Sequence, residues 1–148
     1  MENRKYIRDK RSPVPKNSTV SKVMSSIKGK NTKPELLFRK LLYQSGLRGY
    51  RINYAKLPGK PDIVFTKKKI AIFINGCYWH GCNICGWKTP KHNPDYWINK
   101  IEKNRSRDAV KKKLLEDFGF EVIVVWEHDF KEHLGWIISK IIRLVSEK

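Results

Sequence analysis

The spacing of apolar residues changes several times along the chain, and each change marks a different element. Val20, Val23, Met24 and Ile27 fall on one helical face behind a capping Thr19 or Ser21, ending near Gly29. Thr32-Lys33-Pro34-Glu35 has the spacing of a capping box with proline in the first turn. It opens a second helix through Leu36, Leu37, Leu41 and Leu42 that stops at Gly46. A short strand around residues 50–54 and the turn Leu57-Pro58-Gly59-Lys60-Pro61 follow. Two short apolar runs then span residues 62–66 and 70–74. Only Lys67-Lys68-Lys69 joins them, which predicts an antiparallel hairpin.

Beyond the hairpin, Asn93-Pro94 starts a long helix to Phe118, stopped by Gly119. Trp97, Ile101, Val110, Leu114 and Phe118 keep helical spacing on its apolar side, while Lys and Arg crowd residues 100–113. The β-branched run Val122-Ile123-Val124-Val125 predicts a buried strand from Phe120 to Trp126, and Leu134 to Val145 reads as a final helix. The pattern predicts an α/β fold, helices around a small mixed sheet, in one domain over residues 19–148. Residues 1–18, charged and proline-bearing without an apolar period, read as a flexible basic arm.

Charge narrows the partner. The chain has 32 Lys and Arg against 14 Asp and Glu, a net charge of +18, which favours a polyanion such as nucleic acid through counterion release. No apolar stretch approaches the roughly 20 residues that span a bilayer, and residues 1–16 lack the apolar core of a signal peptide. All three cysteines lie within nine residues, which suits a metal site in a reducing compartment better than a disulfide scaffold. A cytoplasmic, nucleoid-associated protein is the expectation.

The segment Gly76-Cys77-Tyr78-Trp79-His80-Gly81-Cys82-Asn83-Ile84-Cys85 concentrates the candidate chemistry. Cys77, Cys82 and Cys85 can share a structural Zn²⁺, whose tetrahedral preference calls for a fourth ligand. His80, His92, His128 and His133 are the candidates. His128 is preferred, because a ligand just past a distant strand would tie the loop to the sheet. Asp62, directly after Pro61 and opening a strand, presents a carboxylate at a sheet edge. With the helix-borne Glu35, it resembles the way metal-dependent nucleases gather carboxylates to bind Mg²⁺. A turn aspartate and a helix-capping glutamate are the plainer readings of the same two residues. The acidic-x-Lys pattern of many such enzymes is missing from Ile70-Ala71-Ile72-Phe73-Ile74-Asn75, so catalysis here needs a backbone carbonyl and a nearby base. His80 suits that base, since imidazole exchanges protons near neutrality. Tyr78, Trp79 and Trp97 beside positive charge can stack on bases or wedge between base pairs, although Trp97 could equally be core.

Four segments together resemble the very-short-patch-repair (Vsr) endonucleases in order and spacing, from about Val20 to Glu127. They are Leu57 to Asp62, Phe73 to His80, Tyr96-Trp97 with Lys103-Asn104 and Arg107-Asp108 behind it, and Val124 to Glu127. The resemblance implies a restriction-endonuclease-like three-layer fold with a structural zinc site. It also implies a Mg²⁺-dependent nick 5′ to the thymine of a T:G mismatch left by deaminated 5-methylcytosine. By position it implies Mg²⁺ held by Asp62 and the Ile74 carbonyl, His80 as the base, and Glu35 in support. Tyr78, Trp79 and Trp97 become the DNA wedge, and Cys77, Cys82, Cys85 and His128 the zinc shell. A monomer acting on mismatched double-stranded DNA, with repair partners of the MutL type, completes the expectation. Asn75 departs from the family, standing where a second active-site histidine is found. Cys82 and His128 exchange the family's histidine and cysteine, keeping three sulfurs and one nitrogen. The alternatives are a non-catalytic zinc-stabilised DNA-binding module, or a nuclease of this fold with another lesion or site.

Overall fold

The structure, a computed structural model, describes residues 17–19 and 31–148. The helix expected over residues 19–29 and nearly all of the basic arm lie outside the described residues. The order is α1 (Lys33–Gln44), β1 (Arg51–Ile52), β2 (Ile63–Phe65), β3 (Ile70–Asn75), α2 (Pro94–Asp117), β4 (Glu121–Trp126), α3 (Asp129–Glu132) and α4 (Leu134–Glu147).

The strands form one mixed sheet in the order β1-β2-β3-β4. The hairpin expected from the triple lysine is present, with Phe65 opposite Ile70 and Ile63 opposite Ile72. β4 then lies parallel to β3 from Ile70↔Glu121 to Asn75↔Trp126, so both strands end at the same edge. A parallel return needs a crossover, and α2 is that crossover. Successive side chains alternate between faces. Ile63, Phe65, Ile70, Ile72, Ile123 and Val125 pack under Phe38 and Leu42 of α1 and Ile137, Ile138 and Ile141 of α4. Val64 and Ala71 on the other face pack against Leu115 of α2. Helices thus cover both faces of the sheet.

Local chemistry sets the helix ends. The Thr32 hydroxyl accepts from the Glu35 amide at 3.4 Å, half of the expected capping box. The other half is displaced by one residue: the buried Glu35 carboxylate accepts from the Asn31 amide at 2.8 Å and meets Arg39 at 3.3 Å. At the far end of α1, Gly46 N–H reaches Tyr43 O and Leu47 N–H reaches Leu42 O, both at 3.1 Å. Gly119 and Phe120 close α2 on Glu116 and Leu115 in the same way.

Three expectations are corrected. The strand around residues 50–54 is only Arg51–Ile52, because Asn53 and Tyr54 turn to bond the carbonyls of Asp62 and Pro61 instead. The short helix α3 was not anticipated; its Asp129 carboxylate caps back onto the Trp126 amide at 2.8 Å. The apolar stripe of α2 is also shifted. Ile101 and Leu115 are buried, whereas Val110, Leu114 and Phe118 are exposed. The helix turns its C-terminal half so that Leu115 fills the space beside Val64 and Ala71. Leu115→Ala should therefore lower unfolding stability by about 2–5 kcal/mol, and Leu114→Ala by less than about 1 kcal/mol. Urea denaturation of the two variants measures the difference, and equal losses would contradict this helix register.

Candidate active site and metal centre

Because β3 and β4 end in register, Asn75 and Trp126 deliver the following loops to one place. The amide of Glu127 bonds the Asn75 carbonyl at 3.0 Å, extending the ladder one step past the strands. The next residue, His128, meets the cysteine loop. Its Nδ1 lies 3.3 Å from Cys77 Sγ, 3.5 Å from Cys82 Sγ and 3.3 Å from Cys85 Sγ. The four ligand atoms all lie within 4.8 Å of one another. Three sulfurs and one imidazole nitrogen converging so closely can hold a metal ion, and tetrahedral zinc fits this donor set. His128 Nε2 faces Asp129 at 3.4 Å, which orients Nδ1 toward the thiols. Among the described residues this is the only such cluster of His, Cys, Asp and Glu, and His80 is not in it.

The neighbouring thiols act in opposite directions on Cys85 and Cys82. Hydrogen bonding to Cys77, with burial adding to it, pushes Cys85 up to about 12. At Cys82 burial acts against the thiolate, yet amide hydrogen bonds from Cys85 and Ile84 bring its pKa below the ordinary thiol value. A cation entering the cluster displaces the protons that mutual repulsion retains.

α2 pins the same loop from the other side. Asn104 Nδ2 donates to Trp79 O at 2.7 Å, and Arg105 Nε donates to Gly81 O at 3.1 Å. The close approach needs glycine: at φ +60°, a Cβ on Gly81 would stand 2.5 Å from Arg105 Nε and 2.6 Å from Ile101 Cγ2. His80, between the two pinned carbonyls, has its Nδ1 2.5 Å from Asp108 Oδ2. With Nδ1–H donated to that carboxylate, Nε2 keeps the lone pair of a base.

Asp62, His80, Glu35 and Asp108 all line one open cleft of about 920 Å³, whose walls also carry Lys60, Lys100, Lys111 and Glu127. Asp62 Oδ2 accepts from the Ile74 amide at 2.7 Å, placing the carboxylate beside the Ile74 peptide. Its other oxygen has no hydrogen-bond partner among the described residues. Burial raises the Asp62 pKa to about 6 against the lowering effect of that amide bond; Glu35 adds to the rise, while Arg39 and His80 oppose it. A half-buried carboxyl with one free oxygen fits a hard divalent cation. Asn75 is 7 % exposed at the cleft floor, and its carboxamide makes no hydrogen bond among the described residues.

The aromatic residues lie beside this cleft as one group. Tyr78, Trp79 and Trp97 stand 5.4–5.7 Å apart by ring centroid, with Tyr96 5.1 Å from Trp97 and Trp87 6.1 Å from Tyr78. Reading the residues one by one gave no role to Trp87 or to the anchors Asn104, Arg105 and Asp108. The spacing of the three anchors on α2, i, i+1 and i+4, was the available signal: it puts one amide, one cation and one acid on a single strip of a helix otherwise read as basic.

The family model described as "DNA mismatch endonuclease Vsr" matches residues 12–85. Among curated relatives, the type II nicking enzyme V.NmeAIP of Neisseria meningitidis is 49% identical over 109 residues, covering 74% of this chain and 77% of its own length. The type II nicking enzyme V.XorIIP of Xanthomonas oryzae is 41% identical over 119 residues, 80% of this chain and 86% of its own. The DNA mismatch endonuclease Vsr of Escherichia coli is 36% identical over 110 residues, 74% and 70% of the two chains. With the cleft, the Cys3His cluster and these relatives in agreement, the chain belongs to the Vsr family of DNA endonucleases.

Proposed function

We propose that this endonuclease nicks one strand of double-stranded DNA 5′ to the thymine of a T:G mismatch, using Mg²⁺ at Asp62. The observation that carries the proposal is a single cleft holding the half-buried Asp62 carboxylate and the Asp108-oriented His80, with the aromatic group at its side. Asp62 and the Ile74 carbonyl are the Mg²⁺ ligands in this reading. A Mg²⁺ held there would supply the positive charge that polarises the phosphate and the attacking water. His80 Nε2 takes the water's proton, Asp108 holds the ring and stabilises the imidazolium, and Glu35 supports Asp62 from α1. The new P–O bond forms as the bond to the leaving deoxyribose oxygen breaks. Tyr78, Trp79 and Trp97 wedge beside the mismatch, and the Lys and Arg residues of α2 hold phosphates. The overall architecture is that of the restriction endonucleases, with Zn²⁺ at Cys77, Cys82, Cys85 and His128. The names of the relatives support mismatch or nicking chemistry. In this reading the protein acts as a monomer in the prokaryotic cytoplasm, alongside mismatch-repair proteins of the MutL type. No helix among the described residues is long and apolar enough to cross a membrane.

Labelled duplexes differing only in T:G against T:A give the direct test. Nicking of the mismatched duplex alone is expected with Mg²⁺, and Asp62→Ala should reduce it by more than about 10²-fold. Equal cutting of the matched duplex would overturn the mismatch specificity, and full activity in the Asp62 variant would overturn the site.

Zinc removal should act on the fold rather than on the chemistry. Metal-stripped protein and Cys85→Ala should each lose several kcal/mol, on the order of 10 °C in melting temperature. Re-addition of Zn²⁺ should restore only the wild type. An unchanged melting curve after stripping would remove zinc from the account.

Asp62 also predicts a pH-dependent cost. Its pKa is near 6 folded against an ordinary aspartate value of 3.8, so the folded state resists its ionisation. Well below pH 3.8 the carboxyl is protonated in both states and nothing is lost; between about pH 4 and 6 the penalty grows, reaching up to about 3 kcal/mol at about 1.4 kcal/mol per pH unit. Asp62→Asn keeps the acceptor for the Ile74 amide and removes the charge. In Mg²⁺-free buffer it should be more stable than wild type at pH 8 and equal to it below about pH 3, as read by denaturant titration.

A further inference from the structure

The residue missing from β3 as much as the second acid is the lysine of the acidic-x-Lys pattern, whose ammonium meets phosphate charge. β3 reads Ile70-Ala71-Ile72-Phe73-Ile74-Asn75 and offers no cation. We propose that Lys111, from the crossover helix α2, supplies that cation: it contacts the phosphate undergoing hydrolysis and stabilises the charge that builds on it. The inference rests on the nuclease reading above and deepens it.

Three observations place Lys111 there. First, it is half-buried, whereas its neighbours Lys112 and Lys113 are exposed, and Lys112 is paired with Glu116 at 3.7 Å. Lys111 itself has no ion pair or hydrogen bond among the described residues, so its charge is unspent in the free protein. Second, its stem lies against the turn that leads into Asp62. A Cβ built on Gly59 would stand 2.7 Å from both Lys111 Cγ and Cδ and 2.9 Å from its Cβ, so the absence of a side chain at Gly59 leaves the stem its path. Gly59 also adopts φ +77°, a conformation that other residues take only with strain. Third, Lys111 lines both the main cleft and the adjoining cavity of about 320 Å³ behind His80 and Asp108. It is one helical turn past Asp108 on α2, at i+3, and so belongs to the strip that orients His80.

Hydrolysis adds a negative charge to the nonbridging oxygens as water's oxygen bonds to phosphorus and the leaving oxygen departs. A preorganised ammonium at that place is stronger in the transition state than in the ground state, which raises rate more than affinity. Lys60 and Lys100 also line the cleft, but neither stem is among the atoms nearest to the missing Cβ of a described glycine, as the Lys111 stem is at Gly59.

The test separates rate from binding. Single-turnover nicking of a T:G duplex at saturating enzyme with Mg²⁺ gives the chemical step. Fluorescence anisotropy on the same duplex in Mg²⁺-free buffer gives Kd. Lys111→Ala should slow the single-turnover rate by about 10²- to 10³-fold, while Kd rises less than about tenfold. Lys111→Gln, which keeps most of the stem, should be as slow as Lys111→Ala, which excludes lost packing as the cause. Lys111→Arg, which keeps the charge, should recover most of the rate. A Lys111→Ala rate within about threefold of wild type, a defect confined to Kd, or normal rates in Lys111→Gln would each overturn the proposal. Wild-type protein that nicks no duplex would overturn both readings. Nicking of matched duplex alone would overturn only the mismatch reading, and the Lys111 comparison would then be made on that duplex.

Discussion

The in-register parallel pairing of β3 with β4 is the constraint from which the site follows. Six residue pairs run from Ile70↔Glu121 to Asn75↔Trp126, and the ladder bond from Glu127 to Asn75 carries the register one residue further. Slipping one strand by a single residue would exchange the two faces of the sheet. It would bury the residues that now border the cleft and move His128 away from the thiols. The apolar alternation of both strands holds that register, because Ile72, Ile123 and Val125 all have to reach the same core.

The parallel pairing also explains why one helix does so much. A parallel return requires a crossover, and the chain uses 24 residues of helix for it. That helix reaches the cysteine loop through Asn104 and Arg105, His80 through Asp108 and the far core through Leu115. The loop is thus held at two sides, by the four-ligand cluster next to β4 and by hydrogen bonds from the crossover. His80 sits between them, its ring held by Asp108 and set edge-on to Trp126 with the ring centroids 6.4 Å apart. Trp126 in turn stacks within 8° of parallel on His128. The Cys3His cluster and His80 share a wall.

Much of this was legible in the sequence, and the limits have physical causes. The hairpin followed from the triple lysine between two apolar runs, and the β-branched run marked β4. The choice of His128 over His92 followed from a guess that β3 and β4 are neighbours, which the sheet order bears out. The apolar face of α2 was misread because Val110, Leu114 and Phe118 keep helical spacing without being buried, while Leu115 alone carries the C-terminal contact. A helix with a polar surface on nearly all sides gives periodicity little to work on. The roles of Asn104, Arg105 and Asp108 were hidden in the same helix. A carboxylate amid lysines looks solvated until the loop it holds is known. The raised pKa of Asp62 was likewise invisible, since it comes from burial supplied by residues distant in sequence.

One feature of the cluster bears on how such an enzyme is made. Cys77, Cys82 and Cys85 come early, but their fourth partner, His128, lies beyond the whole crossover helix. The acid at 62, the base at 80 and the aspartate at 108 all precede it. A chain still being synthesised can contain every group proposed for cutting DNA and yet be unable to close the loop that presents the base. The ligand order therefore ties closure of the cysteine loop to a residue that follows the whole crossover helix.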